Sequence, residues 1–274
     1  MIQEYNNKPI YKAYFGENSV VLNVGGSSGT PKINIQDSGI KFGRSTFTEI
    51  PEWVDWGSVT DMSEMFISCS KLTTIPQIDT SEVTDMMQMF YNCTSLTSIP
   101  QLDTSNVTDM ACMFEQCIKL TSIPPLNTSK VTHMSYMFNG CSNLTTIPQL
   151  DTSNVTNMDI IFGNCTKLKS IPPLRADNIV VLNYLFNDAK MTALTDFGGL
   201  INLKAKSTGV YGFQRCPNLS YQSCINILNG LYDFTGNGET PDSFQGQLKV
   251  HSNFLSLVGD EISIGTNKGW TITA

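Results

Sequence analysis

Apolar residues return in a fixed order every 24 residues from Val59 onward. Val59, Val83, Val107, Val131 and Val155 each open a copy of one pattern, typified by VTDMMQMFYNCTSLTSIPQLDTSN. Phe66, Phe90, Phe114, Phe138 and Phe162 keep that interval, as do Cys69, Cys93, Cys117, Cys141 and Cys165. Each copy can be read twice. Met86, Met89, Phe90 and Cys93 stand at i, i+3, i+4 and i+7, which predicts one face of a short helix. Leu96-Thr97-Ser98-Ile99 is short, β-branched at its end and stopped by Pro100, which predicts a strand. The Asp-Thr-Ser-Asn segment at 103 to 106 is turn chemistry, because Asp and Asn side chains bond their own backbone.

One such unit has a single apolar face and cannot bury it alone. Stacking identical units buries a continuous core. The expected architecture is therefore an α/β repeat solenoid of the leucine-rich-repeat type. It has short parallel strands on one face and short helices on the other, and is capped at both ends. The pattern weakens outward. FTEIPEWVDWGSV looks like half a repeat, and Leu182, Leu185, Phe186 and Ala189 keep the spacing with alanine in the cysteine position. FQRCPNLS, from Phe213 to Ser220, is a last fragment.

The string DTSNVTDMxxMFxxCxxLTSIPxL resembles the BspA-like leucine-rich repeat of bacterial surface proteins, closely over residues 59 to 174. That resemblance implies a curved solenoid, a place at the cell surface or outside the cell, and a role in display, adhesion or host-protein binding. It carries over no catalytic residues. The tail, NLSYQSCINILNGLYDFTG followed by GQLKVHSNFLSLVGDEISIGTNKGWTITA, resembles a closing module found after such repeats in gut Bacteroides-type proteins. There Cys224, Ile227, Leu228 and Leu231 form a helix face, with Ser220 as N-cap and Gly230 as the C′ stop. Strands are expected at Gln247 to His251 and Trp270 to Thr273, and near the N-terminus at Ile10 to Phe15, Ser19 to Val24 and Pro31 to Ile35. The expected organisation is an N-terminal β-rich cap or attachment module over 1–45, a solenoid over 46–219 and a capping module over 220–274.

Composition narrows the function. The formal net charge is -7 and no Lys/Arg run stands out, so a counterion-releasing nucleic-acid surface is not expected. No apolar run is long enough to span a membrane, and the first residues lack the pattern of a signal peptide. Evenly spaced cysteines do not converge as metal ligands do, so buried free thiols are expected. The methionines at 62, 65, 86, 89, 110, 113, 134, 137 and 158 read as core, not as a soft-metal stripe. Cys112 stands off the cysteine ladder and is the candidate for a reactive thiol. Asp79, Asp103, Asn127 and Asp151 recur once per repeat and read as turn caps; a calcium ladder is the competing reading, which Asn127 weakens.

Asp233-Phe-Thr-Gly-Asn-Gly starts like an EF-hand loop but reaches Phe244 where Glu is needed. Gly25-Gly26-Ser-Ser-Gly-Thr-Pro-Lys lacks the ending of a phosphate loop and reads as a hairpin turn. Asn106 and Asn154 open Asn-x-Thr triplets that read as by-products of the repeat's turn. With two histidines, His133 at a surface position and His251, and no GxSxG elbow, a nucleophilic triad is hard to assemble. No enzyme activity, cofactor or metal is expected. The candidate binding residues are a hydroxyl ladder on the strand face: Thr73, Thr74, Thr97, Ser98, Thr121, Ser122, Thr145 and Thr146. Its expected partner is a protein or a glycan. The alternative role is a structural spacer or attachment component of a surface layer or phage particle.

Overall fold

The computed structural model describes residues 3–5, 8–15, 18–22, 33–34, 42–44, 48, 50, 54–56, 59–182, 184–186, 191–203, 211–240 and 247–274. Near the N-terminus, β1 (Gln3–Tyr5), β2 (Lys8–Phe15) and β3 (Asn18–Leu22) form an antiparallel sheet, and β4 (Ile33–Asn34) pairs in parallel with β5 (Val54–Asp55). The expected turn at Gly25-Gly26 and the Ala189 position lie outside the described residues.

From Val59 the 24-residue units stack as rungs. Their apolar positions are buried without interruption, and all nine repeat methionines lie in the core. The phenylalanines form one column. Centroids of Phe66, Phe90, Phe114, Phe138 and Phe162 follow each other at 5.4, 5.6, 5.8 and 5.9 Å, with ring planes within 12°. Phe42 stacks beneath Phe66 at 5.9 Å and its N–H bonds the Met65 carbonyl, so the register already holds there.

The helix expected at Met86–Cys93 does not form. These residues fold as consecutive turns closed by i→i−3 bonds, such as Met89 N–H to Met86 O and Cys93 N–H to Phe90 O. The intervening N–H groups reach the next rung: Met86 to Asp109 O, Gln88 to Ala111 O, Phe90 to Met113 O and Asn92 to Glu115 O. The donors that a helix would use internally thus hold the rungs together. Two residues per rung, four apart, adopt the left-handed conformation to allow this. They are Glu64 and Ser68, Gln88 (φ 56°) and Asn92 (φ 57°), Cys112 and Gln116, Tyr136 and Gly140, and Ile160 and Asn164. Turns of this kind reproduce the i, i+3, i+4, i+7 burial of a helix, which is why the periodicity alone misread the backbone.

Left-handed backbone costs a non-glycine residue about 1–2 kcal/mol, and even β-branched Ile160 bears it here (φ 53°). Gln88→Gly is accordingly expected to raise stability by about 0.5–1 kcal/mol, part of the relief being lost to the freer unfolded chain. Denaturant titration reads the change, and a loss of stability would refute the strain argument.

The expected strands also form only in part. Among the described residues, the rung strands are β6 (Ser170–Ile171) with β8 (Asp196–Phe197) and β7 (Leu174–Arg175) with β9 (Leu200–Ile201), both pairs parallel. In earlier rungs the same row is held by single bonds, such as Thr97 N–H to Thr73 O and Thr145 N–H to Thr121 O.

True helix–strand alternation appears after the repeats. β10 (Tyr211–Phe213), β11 (Gln247–Val250) and β12 (Thr271–Thr273) make a parallel sheet in that order. Between them run α1 (Tyr221–Gly230), α2 (Ser252–Val258) and α3 (Ser263–Thr266). Ser220 caps α1 through the Ser223 N–H, as its sequence predicts. Gly230 is not the left-handed stop expected of it. It is the last helical residue, and glycine is required because a Cβ would collide with the Leu200 carbonyl. Lys268 closes the helix end instead, its Nζ donating to the carbonyls of Leu228, Asn229 and Leu231.

Candidate binding face

The eight hydroxyl residues form two adjacent rows across successive rungs. All are exposed except Thr145, which is half-buried. The rows differ in chemistry. In the first row Thr73, Thr97 and Thr145 donate Oγ1 to the carbonyls of Thr48, Thr73 and Thr121 in the preceding rung, at 3.3, 3.1 and 3.2 Å. Those three hydroxyl protons are spent on the ladder; Thr121, exposed in the same row, has no side-chain bond among the described residues. In the second row Thr74 leans on the Ile75 carbonyl at 3.4 Å. The Ser98, Ser122 and Thr146 hydroxyls stand exposed with no side-chain bond among the described residues. Lys169 and Ser170 continue the two rows, and Lys169 occupies the first-row place otherwise filled by threonine.

Apart from Lys169, charge lies at the margins. Lys71, Lys119 and Lys167 stand two residues before the first row, and Lys167 Nζ donates to Asn143 Oδ1 at 2.6 Å. On the other side come Gln77, Gln101 and Gln149, each donating Nε2 to a carbonyl of the next rung. Beyond them lie the turn aspartates. Oδ1 of Asp79, Asp103, Asn127 and Asp151 accepts the backbone N–H two residues on, at 2.9–3.1 Å. These are Asx turns, and asparagine serves in them as well as aspartate. The Ser81 and Ser105 N–H bonds, with their hydroxyls, hold the Asp79 and Asp103 carboxyls below the usual carboxylate range; at Asp151 the Ser153 hydroxyl leads. No group of three or more His, Cys, Asp or Glu side chains among the described residues could hold a metal ion.

Sequence reasoning overlooked two further rows. Thr84, Thr108, Thr132 and Thr156 each donate Oγ1 to the threonine carbonyl one rung back, at 3.1–3.2 Å. Asn106 and Asn154 donate Nδ2 to Ser81 O and Ser129 O, so these triplet asparagines are tied into the stack. The signal for the threonine row was present, since a threonine follows the opening valine of all five copies; Asn106 and Asn154 read in the sequence only as by-products of the turn.

The cysteine ladder is buried and free of disulfides, and it does more than fill space. Sγ of Cys93, Cys117, Cys141 and Cys165 donates to the carbonyls of Phe66, Phe90, Phe114 and Phe138, at 3.0–3.1 Å. A thiol is the one small apolar side chain that can also donate a proton there. Cys112 is half-buried, but it is not the reactive thiol its position advertises. Burial pushes its pKa up to about 12, with Glu115 as hydrogen-bond partner and nearby charge adding to the shift. Nucleophilic cysteines need a depressed pKa, so Cys112 is a protonated, poor nucleophile at neutral pH. His133 is exposed, with Nδ1 3.0 Å from Thr132 Oγ1 and 3.8 Å from Asp109 Oδ2. Among the described residues no helix is long and apolar enough to cross a membrane.

Comparison with solved structures finds a leucine-rich-repeat protein of T. pallidum with a TM-score of 0.46 and 19% identity, covering 70% of this chain and 85% of that one. It also finds a leucine-rich cell surface protein of Faecalibacterium prausnitzii A2-165 with a TM-score of 0.24 and 15% identity, covering 100% and 94%. No curated protein matches the sequence. The model of one family, described as Mycoplasma protein of unknown function, DUF285, matches residues 40–143 and 118–197. These overlapping matches span more than half of the chain and take in every complete rung, so the protein belongs to the DUF285 family.

Proposed function

We propose that this chain is a non-catalytic, BspA-like leucine-rich-repeat solenoid displayed by a bacterium, and that it holds a protein or glycan partner on the second hydroxyl row. One observation carries the reading. Ser98, Ser122 and Thr146 are exposed, uncharged and unspent, whereas the neighbouring Thr97 and Thr145 give their protons to the ladder. Repeated donors at a fixed spacing suit a partner that is itself regular, and their rigid support limits the entropy lost on binding. Ser98→Arg with Ser122→Arg is expected to weaken binding to host-cell surfaces or arrayed glycans by about tenfold or more, without moving the melting temperature. Unchanged binding would remove this face from consideration.

A second reading, as a structural spacer or attachment piece, has one observation of its own. β12 pairs only with β11 among the described residues, which leaves a parallel edge with exposed Thr271 and Thr273. Concentration-dependent self-association with no separable ligand would favour it.

A further inference from the structure

We infer that Asn237 is a site of spontaneous deamidation in the native protein and that the chain's two other Asn-Gly pairs are shielded from the same reaction. The sequence holds three such pairs: Asn139-Gly140, Asn229-Gly230 and Asn237-Gly238. In the reaction the backbone nitrogen following asparagine attacks the side-chain Cγ. The N–Cγ bond forms, the Cγ–Nδ2 bond breaks, and ammonia leaves carrying the backbone proton. Water then opens the resulting succinimide at either carbonyl, giving aspartate or isoaspartate. No oxidant or reductant takes part. Glycine is the favourable successor because no Cβ obstructs its nitrogen.

Identical chemistry meets three different surroundings. Asn139 is 8% exposed and its Nδ2 donates to Glu115 Oε1 at 2.9 Å. The Gly140 nitrogen donates to Gly163 O at 2.7 Å inside the stack, so it is released only if rungs part. Gly230 closes α1, where helical backbone keeps the nitrogen from the approach that ring closure needs. The Asn229 side chain is exposed, but the backbone at Gly230 lies so close to the Leu200 carbonyl that a Cβ there would collide with it.

Asn237-Gly238 lies instead in an exposed stretch, residues 235 to 240. The Gly238 nitrogen makes one local bond, to Thr235 O at 3.0 Å, and Asn237 Nδ2 makes one, to Asp233 O. Gly238 has open space around it and a positive φ of 68°. Local turn bonds of this kind open at little cost, unlike those of the core.

Conversion has a definite consequence. A carboxylate at position 237 cannot donate to the Asp233 carbonyl, and it adds one negative charge, taking the formal net charge from -7 to -8 in a turn that already carries Asp233 and Glu239.

The test stores the native full chain at neutral pH and physiological temperature beside a denatured sample, and follows all three peptides by mass spectrometry with ion exchange for charge variants. Acid is expected at Asn237 alone in the native sample, and at all three positions in the denatured one. Conversion of native Asn139 or Asn229 as fast as Asn237 would overturn the inference. So would retention of the Asn237 amide while the denatured chain converts.

Discussion

Raising the pH from about 8 to about 10 is expected to unfold this protein, because its buried thiols ionise only when the stack opens. Burial pushes the thiols of Cys93, Cys117, Cys141, Cys165 and Cys216 far above the ordinary range; for Cys93 the neighbouring Cys69 thiol is the leading cause. An unfolded cysteine releases its proton near pH ~8.5. Below that value both states keep their protons and the stabilisation is complete. Above it the unfolded chain binds fewer protons than the folded one, so stability falls by about 1.4 kcal/mol per thiol per pH unit. At pH ~10 the loss is about 2 kcal/mol per thiol, or about 10 kcal/mol for five, which is comparable to the whole stability of an ordinary domain. Cys224, pushed up to about 11, and Cys112, pushed up to about 12, add to the slope. Denaturant midpoints measured across this range check the expectation. Replacing Cys117 and Cys141 together with alanine should flatten the dependence by about 2.7 kcal/mol per pH unit, whatever it does to stability at neutral pH. A flat profile in the parent protein would sink the account.

Phe114→Ala is expected to cost about 3–5 kcal/mol, the range for emptying a fully buried aromatic site. Phe114 is 0% exposed and sits between two rings, 5.6 Å from Phe90 and 5.8 Å from Phe138, with planes 7° apart on both sides. The turns around it are fixed to the rungs above and below, so they cannot collapse into the hole. In a stack where each rung touches only its neighbours, a weakened central rung also uncouples the two halves. The variant should therefore melt earlier and in two steps. A single transition displaced by less than about 1 kcal/mol would show that the column is not a main source of cohesion.

The core was legible in the sequence because burial follows the side-chain pattern, whatever the backbone does. Met86, Met89, Phe90 and Cys93 lie inside as their spacing requires. The backbone was not legible, because left-handed turns at Gln88 and Asn92 present the same face that a helix would. Nothing in the letters says that the Phe90 N–H bonds Met113 in the next rung and not a carbonyl inside its own. Polar asparagine at some of these positions was a usable clue, but Cys112, Tyr136 and Ile160 at others masked it. The candidate face was legible as a pair of hydroxyl residues between two buried apolar ones: Leu and Ile inward, Thr and Ser outward. Which hydroxyls remain unspent depends on whether each reaches a carbonyl of the neighbouring rung, which the repeated letters do not reveal. Gly230 was singled out for the right reason of backbone freedom and the wrong geometry, since a close approach and not a reversed φ demands it.

The rows of bonds between rungs do not all point the same way. Four backbone N–H groups per rung, those of Met86, Gln88, Phe90 and Asn92 for instance, are directed toward the following rung, while Thr84 and Thr97 direct theirs toward the preceding one. Peptide dipoles aligned head to tail sum, as they do in a helix. Four against two leaves a remainder among these inter-rung bonds, directed with its N–H ends toward the C-terminal side of the array.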